Sequence, residues 1–204
     1  MKRRHFFICL LSILIATGCI HNAVSQTNIT MPYNNGPIAV TLTPPANCSY
    51  TFSDDGGNGN VYSSKSGTGS VLTFLPSSPG NKIVVQFTSF YTEAGFDALF
   101  VYDGPSTNSP QISSGAVALF GLPNPFSAGA GGWQGTAAPY NVAPNTVRAS
   151  ATNGSGALTF AFDSDLTVEK SGWTAIVSEV PGSACTIQAP GAVTVAAPAG
   201  YCSA

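Results

Sequence analysis

Lys82-Ile-Val-Val-Gln-Phe-Thr-Ser-Phe90 is the stretch on which the fold turns. Ile83, Val85 and Phe87 fall on one side of an extended chain, and Val84, Gln86 and Thr88 on the other. Successive side chains of a β-strand point to opposite faces, so this period of two marks a half-buried strand. The alternation returns at Leu158-Thr-Phe-Ala-Phe162 and again at residues 173–177, where Ala175 stands between larger side chains. Runs at 71–75, 98–102 and 145–152 read as further strands. They are separated by the Pro/Ser/Gly turn at 76–80 and by Asp103-Gly104, a turn-forming pair. A short strand is expected at 38–42 and another near 116–120. No helical period interrupts the series, and no crossover helix is visible of the kind parallel neighbours need. The pattern predicts an all-β, antiparallel, two-sheet sandwich.

Composition agrees. Charged residues make up 8% of the 204, against 22 Gly and 15 Pro, a balance suited to short strands joined by tight turns. An apolar content of 44% argues against disorder. The chain opens with Met1-Lys-Arg-Arg4 and an apolar run at 6–16, too short to span a bilayer, and this reads as a secretory leader over 1–25. Small residues in Ala23-Val-Ser-Gln26 suit cleavage before Gln26. Ala16-Thr-Gly-Cys19 offers a weaker alternative, lipidation of Cys19, with Ala16 where a Leu or Val is usual. No later stretch is apolar enough to cross a membrane. After Gln26 only Lys65, Lys82, Arg148 and Lys170 remain against nine carboxylates, a net charge of −5. Such a balance repels nucleic acid and anionic lipid.

Both histidines, His5 and His21, lie in the leader, and no Gly-x-Ser-x-Gly run or phosphate loop is present. Nucleophilic catalysis needs a base beside the nucleophile, so no enzymatic activity is expected. Cys48, Cys185 and Cys202 follow the leader in no zinc-binding spacing. Three cysteines cannot all pair within one chain. A Cys48–Cys185 bridge tying the two ends of the sandwich is one arrangement that sequence leaves open. The expected organisation is a leader (1–25), an N-terminal extension or linker (26–47), a sandwich (48–180), and a linker with the start of a following module (181–204).

Several pieces resemble the CUB domain family in its bacterial secreted form. They are Cys48-Ser-Tyr-Thr-Phe-Ser-Asp-Asp-Gly-Gly57 with Tyr62, then Val85-Gln-Phe-Thr-Ser-Phe-Tyr-Thr-Glu93, then Asp97-Ala-Leu-Phe-Val-Tyr-Asp-Gly104. Leu158-Thr-Phe-Ala-Phe-Asp-Ser-Asp165 and Gly172-Trp-Thr-Ala175 complete the set, and order and spacing together make it specific. The resemblance implies a jelly-roll-like sandwich and an extracellular binding or adhesion role. The cysteines depart from it, because animal members usually carry four in two local bridges. More weakly, Ala189-Pro-Gly-Ala-Val-Thr-Val195 and Gly200-Tyr-Cys-Ser-Ala204 are similar to the opening of a HYR-type immunoglobulin-like module.

The resemblance places a calcium site at Glu93, Asp97 and Asp165. The residue types suit that ion, a hard cation that takes six to eight oxygens. Carbonyls near Leu166 and Thr167, with water, would complete the shell. The site implies docking of a partner's Lys or Arg against the acids. Asp54, Asp55 and Asp103 read instead as turn formers. Trp173 is expected in the core. Trp133 and Tyr140, in the irregular segment 121–140, are read either as a sugar-stacking platform or as plugs at the rim of the sandwich. The expected partner is an extracellular protein or glycan, with a purely structural appendage as the third reading. The sequons at Asn28, Asn47 and Asn153 matter only in a glycosylating host.

Overall fold

The computed structural model describes residues 27–42, 50–115, 131–135 and 144–182. The leader with Cys19, the strand expected near 116–120, Tyr140, all remaining cysteines and the tail from 183 onward lie outside the described residues. Ten strands are described: β1 (Asn28–Thr30), β2 (Ile38–Thr41), β3 (Tyr50–Ser53), β4 (Val71–Leu75), β5 (Asn81–Tyr91), β6 (Ala98–Tyr102), β7 (Gln111–Ile112), β8 (Thr146–Arg148), β9 (Leu158–Asp163) and β10 (Gly172–Pro181). They form two five-stranded sheets, in the orders β1-β3-β10-β5-β8 and β2-β4-β9-β6-β7. Among the described residues there is no helix, and so none long and apolar enough to cross a membrane.

The expected antiparallel sandwich is present, with one departure. β1 pairs parallel with β3, and β2 parallel with β4, while the other strand pairs are antiparallel. The segment read as an extension therefore supplies an edge strand to each sheet. Both strands are three or four residues long, which suits a sheet edge that must not recruit other chains. Met31 and Leu42, just past the ends of β1 and β2, are buried in the core.

The two sheets meet through aromatic rings. Phe52 of β3 lies 5.2 Å from Phe74 and 5.2 Å from Phe160 in the facing sheet, and 5.6 Å from Trp173 of β10. Phe162 and Trp173 meet edge to face at 5.0 Å. Tilted and edge-on contacts suit the ring quadrupoles, and each buried Phe contributes on the order of 1.5–3 kcal/mol by transfer alone.

All six residues of β9 are buried, so its alternation does not separate a dry face from a wet one. Its outward Ala161 joins Val71, Ala98, Phe100 and Tyr102 in a second apolar cluster. Thr159, also buried, shares a hydroxyl hydrogen bond with Thr73 and donates to the carbonyl of Gly104.

Chain direction then fixes where the loops go. Residues 31–37, 54–70, 92–97 and 164–171 emerge at one end of the sandwich, and 76–80, 103–110 and 149–157 at the other. The candidate site sits among the first set.

Candidate metal centre

β5 delivers Glu93 just past its last residue, and the chain reverses over 93–97 to start β6. Gly95 takes φ +85°, a left-handed conformation costly for a residue with a Cβ, and the amides of Phe96 and Asp97 both donate to the carbonyl of Glu93. The Gly95 amide donates to Oε1 of Gln134, which is fully buried. Asp165 arrives from β9. The β6–β9 register pairs Ala98 with Asp163, so Asp97 and Asp165 leave their strands side by side.

Glu93, Asp97 and Asp165 are thereby brought together, each with a carboxylate oxygen within 4.8 Å of the others. Oxygens around one calcium ion, at about 2.3–2.6 Å from it, can lie no further apart than about 5 Å. Asp97 is fully buried. Its Oδ2 accepts from the Tyr62 hydroxyl at 2.5 Å, its Oδ1 accepts from the Asp165 amide at 2.9 Å, and the Thr92 hydroxyl donates to its carbonyl. The Tyr62 hydroxyl also accepts from the Glu93 amide at 3.0 Å. Asp165 Oδ1 accepts from the Thr167 amide, and its carbonyl accepts from the Lys65 amide.

Burial pushes the Asp97 carboxyl up to about 7, with Asp165 and Glu93 adding to the rise and the Tyr62 and Asp165 donors opposing it. Glu93 is raised as well, through burial first and then the Asp165 charge, with Lys170 opposing. Its Oε2 atom is buried and has no hydrogen-bond partner. Three carboxylates that repel one another, one with an orphaned buried oxygen, are a donor set short of a cation. The residues present fit a hard divalent ion.

Sequence reasoning assigned no role to three residues here. Tyr62 lies in the stretch that carries the CUB resemblance, and its hydroxyl joins two of the acids. Asp163 is buried with an unpartnered Oδ1, and burial followed by the Asp97 charge pushes it up to about 7. Gln134, in a segment with no strand pattern, holds the turn at Gly95. Its proximity is a tertiary fact with no local signal.

The other candidates fall elsewhere. Trp133 exchanges two backbone hydrogen bonds with Leu99, and its side chain is 6% exposed within the core. That corrects the platform reading for this residue, since a ring packed into the sandwich offers no face to a sugar. Trp173 is buried, as expected of a core residue. Asp103 lies at the opposite end, where Ser150 and Asn153 donate to it. Asp55 accepts from the Ser63 amide across its loop. Asp54 does more than form a turn. It is fully buried and accepts from the amides of Gly56 and Trp173, fastening the 54–63 loop to the start of β10.

Fold and site together define an all-β, two-sheet sandwich with a cluster of three carboxylates at one end. No protein-family model matches the chain, and no curated protein does. Solved structures similar to it include the following two. One is the CUB1-EGF-CUB2 domain of human MASP-1/3, 15% identical, covering 70% of this chain and 41% of that one at a TM-score of 0.43. The other is the full extracellular region of zebrafish Gpr126/Adgrg6, 14% identical, covering 77% of this chain and 15% of that one at a TM-score of 0.40. The chain thus spans less than half the length of either.

Proposed function

We propose that this protein is a non-catalytic extracellular recognition module that holds one calcium ion at Glu93, Asp97 and Asp165 and docks a basic side chain of a protein partner beside it. The observation that carries the reading is the convergence of the three carboxylates, with the Glu93 Oε2 atom buried and unpartnered. The leader sequence supports an extracellular setting. When bound, the ion offsets the mutual repulsion of the acids. The protein's own residues do the rest. Tyr62 holds Asp97 and the Glu93 backbone in one arrangement, Gln134 fixes the turn between them, and the Thr167 amide orients Asp165. The half-buried Glu93 and Asp165 face the partner, and Asp97 stays behind them. An affinity for calcium of about 10⁻⁴–10⁻³ M is expected, the range of extracellular modules.

The same geometry argues against hydrolysis. Paired catalytic carboxylates in glycoside hydrolases stand about 5–9.5 Å apart with substrate between them. Here both oxygens of Asp97 are already engaged inside the protein, which leaves that carboxylate unavailable to a substrate.

Calorimetric titration with calcium chloride tests the reading. One site per chain is expected in the wild type, with no heat in Glu93→Ala or Asp165→Ala. Unchanged calcium uptake in both variants would overturn it.

A further inference from the structure

Every large apolar side chain that stands exposed among the described residues lies at the end of the sandwich that holds the acids, on its loops or on the terminal strand residues Ile38 and Tyr91. The opposite end, at 76–80, 103–110 and 149–157, exposes none. Single exposed apolar residues are ordinary, but their segregation to one end is not. Val61 precedes Tyr62, which touches two of the acids. Phe96 lies between Glu93 and Asp97. Leu166 and Val168 follow Asp165 and are 68% and 46% exposed. Tyr33 reaches the same end, where its hydroxyl donates to the Ser64 carbonyl.

Val168 adds an independent observation. Its φ is +66°, in the left-handed region, where a β-branched residue is strained. Nothing in the core requires a Val there, since its side chain points to water. Backbone strain that holds an apolar branch at a loop tip is characteristic of binding surfaces.

Charge then selects the occupant. The exposed apolar residues flank Glu93 and Asp165 along the chain, the loops at this end carry Asp54, Asp55, Glu93, Asp97, Asp165 and Glu169 against Lys65 and Lys170, and the chain beyond the leader carries nine carboxylates against four Lys and Arg. Such a surface repels anionic lipid and attracts a cationic group. We infer that the crown formed by Val61, Phe96, Leu166 and Val168 docks a protein segment in which a Lys or Arg is flanked by bulky apolar side chains. The inference rests on the calcium-centred reading above and adds to it the partner's neighbouring residues. The cationic group seats on Glu93 and Asp165, and the flanking side chains leave water against the crown.

The test uses three peptides with the full chain in millimolar calcium: acetyl-Leu-Lys-Phe-amide, acetyl-Gly-Lys-Gly-amide and acetyl-Leu-Gln-Phe-amide. The Leu-Lys-Phe peptide is expected to bind at least tenfold tighter than either of the others. In the double variant Val61→Asn, Val168→Asn that preference over Gly-Lys-Gly should shrink to about one. Asn tolerates the left-handed backbone better than Val does, so the variant should stay folded, and its calcium titration, expected unchanged, reports whether it has. Equal affinities of the two lysine peptides, or a preference that survives in the double variant, overturn the crown while leaving the acid site standing. If neither lysine peptide binds, docking of a basic side chain fails and the crown fails with it. Calcium-dependent flotation with phosphatidylcholine or phosphatidylserine vesicles, or self-association abolished by the double variant, would assign the surface to a membrane or to a second copy and likewise overturn the inference.

Discussion

Tyr62 joins two of the three acids through one oxygen, donating to Asp97 and accepting from the Glu93 amide. Its ring is buried edge-on against Phe162 at 5.0 Å, so the hydroxyl is placed by packing. Tyr62→Phe keeps the ring and removes both hydrogen bonds. Each buried group left unpaired costs about 1–3 kcal/mol. Urea denaturation in a chelator should show a loss of about 2 kcal/mol, and calcium affinity should fall several-fold. Wild-type values for both would mean that the hydroxyl does not organise the site. Lys170 acts in the opposite sense. Its amino group sits 5.8 Å from the centre of the Tyr91 ring and opposes the rise in the Glu93 pKa that burial and Asp165 cause. A cation close enough to do that also repels a bound one. Lys170→Gln should therefore tighten calcium binding by about threefold at low ionic strength, with the gain shrinking as salt is added.

At the scale of the element, the start of β10 depends on a close approach that only glycine permits. Gly172 has φ +61°, and a Cβ there would stand 2.0 Å from the Asp54 carboxylate, which accepts from the Trp173 amide. Gly172→Ala must displace a buried carboxylate from its donor and strain the backbone as well. A loss of about 3 kcal/mol is expected in denaturant unfolding, with Trp173 fluorescence altered. The edge strands make a second prediction. Removing residues 27–42 uncovers the pairing edges of β3 and β4 and deletes the buried Met31 and Leu42, worth about 1.5–3 kcal/mol each. Sedimentation and calorimetry should show a lower melting temperature and new self-association through the bare edges. An unchanged monomer would place the start of the autonomous fold after β2.

Over the whole molecule, three buried acids set the response to pH. Burial raises Asp54 to about 6, and Asp97 and Asp163 to about 7, from 3.8. Between those values the folded state holds more protons than the unfolded one. Stability from this source is complete below about pH 4 and is lost as pH rises toward 7. Asp103 and Glu179 run the other way. Burial raises them, but donors from Ser150 and Asn153, and from Ser77 and Asn81, outweigh it, so their contribution disappears in acid as they protonate. With calcium chelated, stability should therefore peak near pH 4–5 and decline toward pH 7.5. Saturating calcium should shrink the decline, because the ion favours ionised Asp97. Unfolding curves at pH 4.5, 6 and 7.5, with and without calcium, decide the matter. A chelated protein that gains stability toward neutral pH would falsify the burial of these carboxylates in solution.

Local pattern alone marked the runs that become β2, β4, β5, β6, β8, β9 and β10, because alternation is written into neighbouring residues such as Ile83, Val85 and Phe87, and it marked neither β1 nor β7. The acids at 93, 97 and 165 were singled out by the resemblance rather than by local pattern. That these three share a space within 4.8 Å depends on the pairing of β6 with β9 and on a turn held by Gln134, and so on partners distant in the chain. The same holds for the burial of Asp54, Asp97 and Asp163, the inward packing of Trp133 and the parallel edges made by β1 and β2. Side-chain periodicity reports which way a residue faces along its own strand. What it faces is settled only when the sheets close on each other.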